Sequence, residues 1–384
     1  MTLDNANPPA YTTKPRPPTD TPVTWSFAES KRAVNPFASW YPLPVIVGFC
    51  NNAPVAELRR LFGLGQYPAQ KLWGATYLEA MGHEVRYIEP RGWQARGLHT
   101  ISERLRWRFG DVAVERVALK QLQECDIVFA GCESILGGLA ALRSAGMLAT
   151  PLACVFHNPP LRLMSVRGYD LAFALTDEAH QGLLRAGRAP DNTELLTWGP
   201  QLDFPAYRGP SDERLVVSCG KSGRDLDTLV AALVKADLPA LVYAPSRQDI
   251  AGSDRIAFRR FDKVLSYPDV VHDMAQASVV AVPLAYTDRT VGMSEICDAI
   301  ALGKPVVVTR SKHLGFDVEE VGCGFFVDPG DVDGWATALA RLHRDADLRR
   351  KLGEAGRHYA EHHANATLCG QQVEAALLRV LRRS

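Results

Sequence analysis

Long hydrophobic runs are missing from this chain of 384 residues. No stretch of about 18 apolar residues occurs, so a membrane-spanning helix is not expected. The first 40 residues contain no apolar core of a secretory signal, so a leader is not expected either. Net charge is missing too: 43 Lys and Arg cancel 43 Asp and Glu. That balance disfavours a broad nucleic-acid surface while leaving room for a local basic patch. The eight cysteines, at 50, 125, 132, 154, 219, 297, 323 and 369, form no CxxC pair and no Cys/His ligand cluster. Structural zinc and a disulfide framework are therefore not expected, and a reducing cytoplasm is the simplest home. GxxxxGK[ST], GxSxG, HExxH and an acidic pair at glycosidase-like spacing are also absent, which turns the reading away from ATPase, hydrolase and metalloprotease chemistry.

The length is too great for one ordinary core and suggests two domains and a tail. Residues 1–40 are rich in Pro, Thr and Asp, with Pro15, Pro17 and Pro18 close together, and read as an irregular tail whose Trp25, Phe27 and Trp40 can lie on the first domain. A first α/β domain is expected over 41–204. Its apolar runs at 44–49, 84–88, 126–130, 151–156, 169–174 and 195–198 read as strands, with helices at 69–81, 136–145 and 178–186. Pro-rich 199–211 is the linker. A second domain, 205–360, restarts with a strand at 215–218, followed by strands at 240–243, 263–265, 279–282, 306–308 and 324–327. The chain then becomes mostly helical, and 361–384 is expected to return toward the first domain.

The segment 291–308, VGMSEICDAIALGKPVVV, organises the second half. Residues 296–302 have the apolar spacing of a helix packed on a sheet, and Gly303 ends it in a left-handed turn. Gly292 lets backbone approach a ligand, and Ser294 is placed to cap the helix. The amides of that first turn, with the helix dipole, suit a phosphate. Asp298, one turn on, can accept from a ribose diol. A capped core helix with surface carboxylates explains the same letters.

Other candidates share this ambiguity. His157 follows a strand end, where open parallel sheets bind ligands, yet a hydrogen-bonded structural histidine also sits there. Gly63 and Gly65 read as a glycine loop after the first strand, or as a tight turn. Lys221 and Arg224 in CGKSGRD can neutralise a diphosphate, or be two solvated cations in a turn. Between residues 104 and 109, Arg104, Arg106 and Arg108 alternate with Leu105, Trp107 and Phe109. They read as an exposed edge, or as a basic-aromatic patch touching an anionic acceptor or the inner face of a membrane.

Two doubly wound domains, SCGKSGRDLDTL, CVFHNPP and DAIALGKPVVV together resemble the family-4-type retaining glycosyltransferases of GT-B fold, over roughly 42–380. The resemblance implies two Rossmann-like domains facing each other across a cleft, with a C-terminal helix returning to the first. It assigns the donor diphosphate to Lys221, Arg224 and the turn of Gly292, Met293 and Ser294. Asp298 takes the position of the ribose-binding Glu, with Glu295 as a substitute. The base is read near Leu265, Ser266 and Tyr267, His157 faces the donor sugar, and Gly63 and Gly65 form the acceptor-side loop. The family's first Glu has no counterpart: eight residues before Asp298 stands Thr290, and Asp288 is the nearest carboxylate.

The reaction implied is transfer of a sugar from a nucleotide diphosphate sugar to an unidentified sugar, lipid or small-molecule acceptor with retention. It needs no metal and no cofactor beyond the co-substrate, and no nucleic-acid partner. A nucleotide-sugar epimerase of the same fold and a catalytically silent GT-B partner subunit are the alternatives.

Overall fold

The computed structural model describes residues 44–52, 54–90, 110–160, 166–207, 215–245, 253–260 and 266–383. The tail, the alternating 104–109 segment, Leu265 and the strand expected at 263–265 lie outside the described residues.

Six strands, β1 (Ile46–Cys50), β2 (Glu84–Tyr87), β3 (Ile127–Ala130), β4 (Leu152–Phe156), β5 (Leu171–Ala174) and β6 (Thr193–Leu195), form one sheet in the order β2-β1-β3-β4-β5-β6. Six more, β7 (Leu215–Ser218), β8 (Ala240–Ala244), β9 (Ile256–Arg260), β10 (Ala277–Val282), β11 (Val306–Thr309) and β12 (Gly324–Val327), form a second in the order β12-β11-β10-β7-β8-β9. Every named pairing is parallel. IVFA in β3, LACVF in β4 and ASVVAV in β10 lack polar alternation, and all their residues are buried. Strands covered by helices on both faces carry this pattern. The order reverses between β1 and β3 and again between β10 and β7, opening a crevice at the C-terminal strand ends of each sheet.

The helices are α1 (Val55–Gly63), α2 (Ala75–Ala80), α3 (Val112–Gln121), α4 (Gly137–Ser144), α5 (Asp177–Arg185), α6 (Leu226–Lys235), α7 (Tyr267–Ala275), α8 (Met293–Ala301), α9 (Val332–Arg344), α10 (Ala346–His362) and α11 (Ala366–Leu381). The last returns to the first domain. Its Gly370 lies so near Tyr77 of α2 that a Cβ would sit 2.3 Å from the ring. Ala366 N donates to Pro200 O at 2.9 Å, and Glu374 meets His83 at 3.0 Å. One apolar cluster runs from Val45, Phe49 and Trp73 to Met293, Ile296 and Ile300, so the two domains share buried contact.

Several local expectations change. Gly63-Leu64-Gly65 does not form a loop after the first strand: it ends α1, whose Val55, Leu58 and Phe62 face the core, and Gly65 takes the left-handed turn at φ 66°. The helix expected at 69–81 is broken into a 3-10 turn, Ala69–Leu72, and α2, because Trp73 and Gly74 are both left-handed. The strand expected at 195–198 is β6, ending at Leu195. The edge strand β9 and helix α3, capped by Asp111, went unread in a mixed-charge sequence whose apolar periodicity is weak.

Candidate functional site

Two loops frame the crevice of the second sheet. The first follows β7 and carries Gly220, Lys221, Gly223 and Arg224. The second follows β10 and leads into α8. They are stitched by Asp225 N to Pro283 O at 3.1 Å and Ala285 N to Gly223 O at 2.9 Å. This places Arg224 beside the start of α8. Its guanidinium pairs with Glu295, at 2.7 Å from Nη2 and 3.2 Å from Nε, and both side chains are buried. Glu295 also accepts from Cys219 N at 2.7 Å. The carboxylate expected as a ribose substitute thus holds the loop after β7 in place. Lys221 stands exposed in the same loop.

Helix α8 begins at Gly292, which is left-handed at φ 87° and packed within 2.9 Å of Val282 at the place a Cβ would occupy. Ser294 is not the cap: it lies in the first turn, and its hydroxyl meets the Lys71 ammonium. Glycine can reach this φ without strain, whereas a side chain would collide with β10. No side chain caps the helix, so among the described residues the amides of Met293 and Ser294 have no acceptor. Those amides lie at the positive end of the helix dipole, where an anion is favoured. Met293 itself is buried, with its sulfur against Gly315 N.

The first domain fills the space in front of α8. Lys71 sits 5.6 Å from the Trp198 ring and 5.9 Å from that of Tyr267. Burial lowers its pKa, with Asp298 pulling the other way. Asp298 is 4% exposed. One oxygen accepts from Tyr207 at 2.6 Å and Gln70 at 3.3 Å, and the other from Tyr267 at 2.6 Å. Burial raises its pKa, while Lys71 and the two tyrosine hydroxyls act against that shift. The expected ribose carboxylate is therefore a clasp between the domains and the connecting segment. Ser266 precedes α7, and Tyr267, expected at the base, turns its hydroxyl to Asp298 and its ring to Tyr67 at 5.1 Å.

His157 leaves the end of β4 and meets Glu133, from the loop after neighbouring β3, through its backbone N at 3.1 Å and Nδ1 at 2.9 Å. Burial disfavours a charged ring, but the Glu133 carboxylate and the Cys132 side chain together outweigh it and push the His157 pKa up to about 10. The same pairing holds Glu133 below the usual carboxylate range against burial. Trp73 packs edge-on to the imidazole at 4.9 Å and stacks on Trp198 at 5.4 Å. Its left-handed backbone, φ 51°, costs about 1–2 kcal/mol. Gly131 makes room for it, since a Cβ there would lie 2.5 Å from the indole. From the second domain, Thr290 donates its amide to Asn158 at 2.8 Å and its hydroxyl to the His157 carbonyl. The position without a counterpart to the family's Glu is thus seated on His157.

The structure brings Met293, Ser294, Asp298 and His157 to one interdomain seam, while Arg224 lies beside the start of α8 within the second domain. Gly63 and Gly65 instead terminate α1. Lys71, Gln70, Trp73, Glu133 and Tyr207 went unread. Glu133 was reachable by the rule that singled out His157, since it also follows a buried strand; the others lie outside any strand-end pattern. Cys132, Glu133 and His157 place a thiol, a carboxylate and an imidazole within 4.8 Å of one another, the group that could hold a metal ion among the described residues. A cavity of about 750 Å³ lined by Arg310, Lys312, Phe316 and His358 contains none of the expected site residues.

Residues 241–345 match the sequence family described as Glycosyl transferases group 1. Over 88 residues the chain is 41% identical to D-inositol 3-phosphate glycosyltransferase of Corynebacterium jeikeium, covering 23% of this chain and 19% of that protein. The chain thus spans about a fifth of the length of that relative. In three dimensions it is similar to sucrose-phosphate synthase of Thermosynechococcus elongatus, with a TM-score of 0.62 at 17% identity over 88% of this chain and 100% of that one. It is also similar to HepE of Anabaena in complex with UDP, with a TM-score of 0.58 at 16% identity over 87% and 100% of the two chains. These likenesses show the two-domain GT-B fold, with the match to Glycosyl transferases group 1 confined to residues 241–345 of the second domain.

Proposed function

We propose that this protein transfers a sugar from a nucleoside diphosphate sugar to an acceptor of the sugar, lipid or small-molecule class. The observation that carries the reading is the uncapped start of α8, where the amides of Met293 and Ser294 converge with the Lys71 ammonium across from His157. Departure of a nucleoside diphosphate leaves charge on phosphate oxygens. Preorganised amides and a cation, shielded from water between two domains, stabilise that charge where it develops. Arg224 stands beside the same turn with its charge paired to Glu295, and Lys221 of the same loop is an exposed cation that a diphosphate can recruit. UDP bound by the similar HepE favours a uridine diphosphate donor.

Retention is part of the proposal. Glu133, the carboxylate nearest His157, is buried and engaged by His157 and Asn158, so it is not presented as a nucleophile. Attack on the face from which the diphosphate leaves, with that phosphate taking the acceptor proton, fits this arrangement. The stabilising charges named here are protein groups, which is why the proposal needs no metal. Asp298 reaches a ribose diol once Tyr207 or Tyr267 yields its hydrogen bond.

Incubation with UDP-, GDP-, ADP- and dTDP-sugars tests the reading. Release of free nucleoside diphosphate from one of them is the expected result. Interconversion of the sugars would make the protein an epimerase. Binding without turnover would make it a silent partner subunit, a second reading favoured by the occupied oxygens of Asp298 and by Thr290 standing where a carboxylate is otherwise expected.

A further inference from the structure

Cys132 and Glu133 lie just beyond Ala130 at the end of β3, and His157 immediately follows β4. Because Ala130 pairs opposite Cys154, the two strand ends emerge side by side and bring together side chains that no ligand spacing in the sequence connects. Cys132 is 5% exposed and Glu133 4%. Cys132 Sγ lies 3.5 Å from Glu133 Oε2, which lies 2.9 Å from His157 Nδ1, and the three ligand atoms fall within 4.8 Å of one another. Burying a carboxylate is costly without a counter-charge. Among the described residues Glu133 forms its ion pair with the His157 ring and not with a Lys or Arg.

We propose that Cys132, Glu133 and His157 bind one zinc ion through Sγ, Oε2 and Nδ1. Zinc bonds of about 2.0–2.2 Å to nitrogen and oxygen and about 2.3 Å to sulfur, at tetrahedral angles, set ligand atoms roughly 3.4–3.6 Å apart. The sulfur–oxygen spacing already fits, and the nitrogen–oxygen spacing has to open by about 0.5 Å. A thiolate and a carboxylate carry two negative charges between them, so a divalent ion leaves the buried trio neutral. Binding releases the thiol proton, and any proton on Nδ1, to solvent as the metal bonds form. A thiolate beside an imidazole suits zinc and not magnesium or calcium. The surroundings hold the ligands in place. Asn158 Oδ1 accepts from Thr290 N at 2.8 Å, which turns Asn158 Nδ2 toward Glu133 Oε1 at 3.4 Å, and Ser134 Oγ stands 3.3 Å from the sulfur, where it can only donate to a thiolate. Three protein ligands leave a fourth position for water. The ion pins the loop after β3 to the segment after β4, on the first-domain side of the seam. The diphosphate keeps the protein groups assigned above, so the site stands independently of the sugar-transfer reading.

The test is metal titration of the full chain, stripped with a chelator and kept reduced, using Co²⁺ as the spectroscopic probe and Zn²⁺ as its competitor. One equivalent of Co²⁺ is expected to give a thiolate-to-cobalt charge-transfer band and the intense visible bands of a four-coordinate ion, both abolished by one equivalent of Zn²⁺. Cys132→Ser should remove the charge-transfer band, and Asn158→Ala should weaken zinc binding by about 10- to 100-fold. The stacked, exposed His358 and His362 of α10 are a competing place for a metal, but no cysteine is there. Cobalt bound without a charge-transfer band and lost in His358→Ala would mean an adventitious ion only and overturn the proposal. So would a band that survives Cys132→Ser, or no saturable binding at one equivalent. The wild-type spectrum decides even if Cys132→Ser does not fold.

Discussion

Lys71→Met separates a ligand-binding lysine from a structural one, because the two roles predict opposite signs. The ammonium lies at the positive end of α8, hydrogen-bonded to a neutral hydroxyl, and burial lowers its pKa. A lowered pKa means that the fold binds this proton more weakly than the unfolded chain does. The charged lysine therefore weakens the empty protein, and stability rises with pH between the folded and unfolded values. Methionine has similar reach and no charge, so relief of the unfavourable cation–dipole contact alone should stabilise the empty protein by about 0.3–1 kcal/mol. A diphosphate placed between the ammonium and the amides of Met293 and Ser294 reverses the sign for the complex. One charge-assisted hydrogen bond lost is worth about 1.5–3 kcal/mol, which is roughly a 10- to 150-fold weaker dissociation constant. Thermal unfolding without ligand and calorimetric titration with UDP measure the two effects. A variant that melts lower and binds UDP as before would make Lys71 a structural clasp and remove it from the donor site.

Three further outcomes follow from individual contacts. Arg224→Ala strands the buried Glu295 carboxylate and should cost about 3–5 kcal/mol in urea unfolding, much of which a second change, Glu295→Met, should return; additive losses would mean the pair is not coupled. Lys221→Ala, being exposed, should leave stability within about 0.5 kcal/mol while weakening UDP binding, and equal affinity would place the diphosphate away from that loop. Glu115 accepts from Gly138 N at 2.6 Å and Leu139 N at 3.0 Å at the start of α4, and burial raises its pKa to about 7 against those bonds. The fold therefore holds this proton more tightly than the unfolded chain, so its contribution is complete below about pH 4.5 and is lost as pH rises toward 7. Glu115→Gln should flatten that part of the stability profile, and an unchanged profile would show that the group titrates normally.

The extent to which the letters foretold the structure varies with the physics of each element. Buried parallel strands were legible because a strand covered on both faces leaves an uninterrupted apolar run, as in ASVVAV and VVVT. The α8 turn was legible because a glycine before an apolar helix and a glycine after it have few other uses. The break at Trp73 was not, since nothing local requires a tryptophan to adopt φ 51°; the Trp198 stack and the cavity left by Gly131 hold it there. Ser294 was read as a cap from its type and position, but Gly292 takes that place because β10 leaves no room for a side chain.

Sequence alone determined that there would be two parallel-sheet domains, that loops would follow the C-terminal ends of their strands, and that a glycine turn would open α8. Each of these is local, set by periodicity, chain direction and glycine. What each charged group does was decided only in the tertiary structure. Glu295 faces Arg224, Asp298 faces two tyrosines, His157 faces Glu133, and Lys71 reaches the second domain from 223 residues away. The reason is that a charge takes its role from the partners that surround it after burial, and residues far apart in the chain supply those partners.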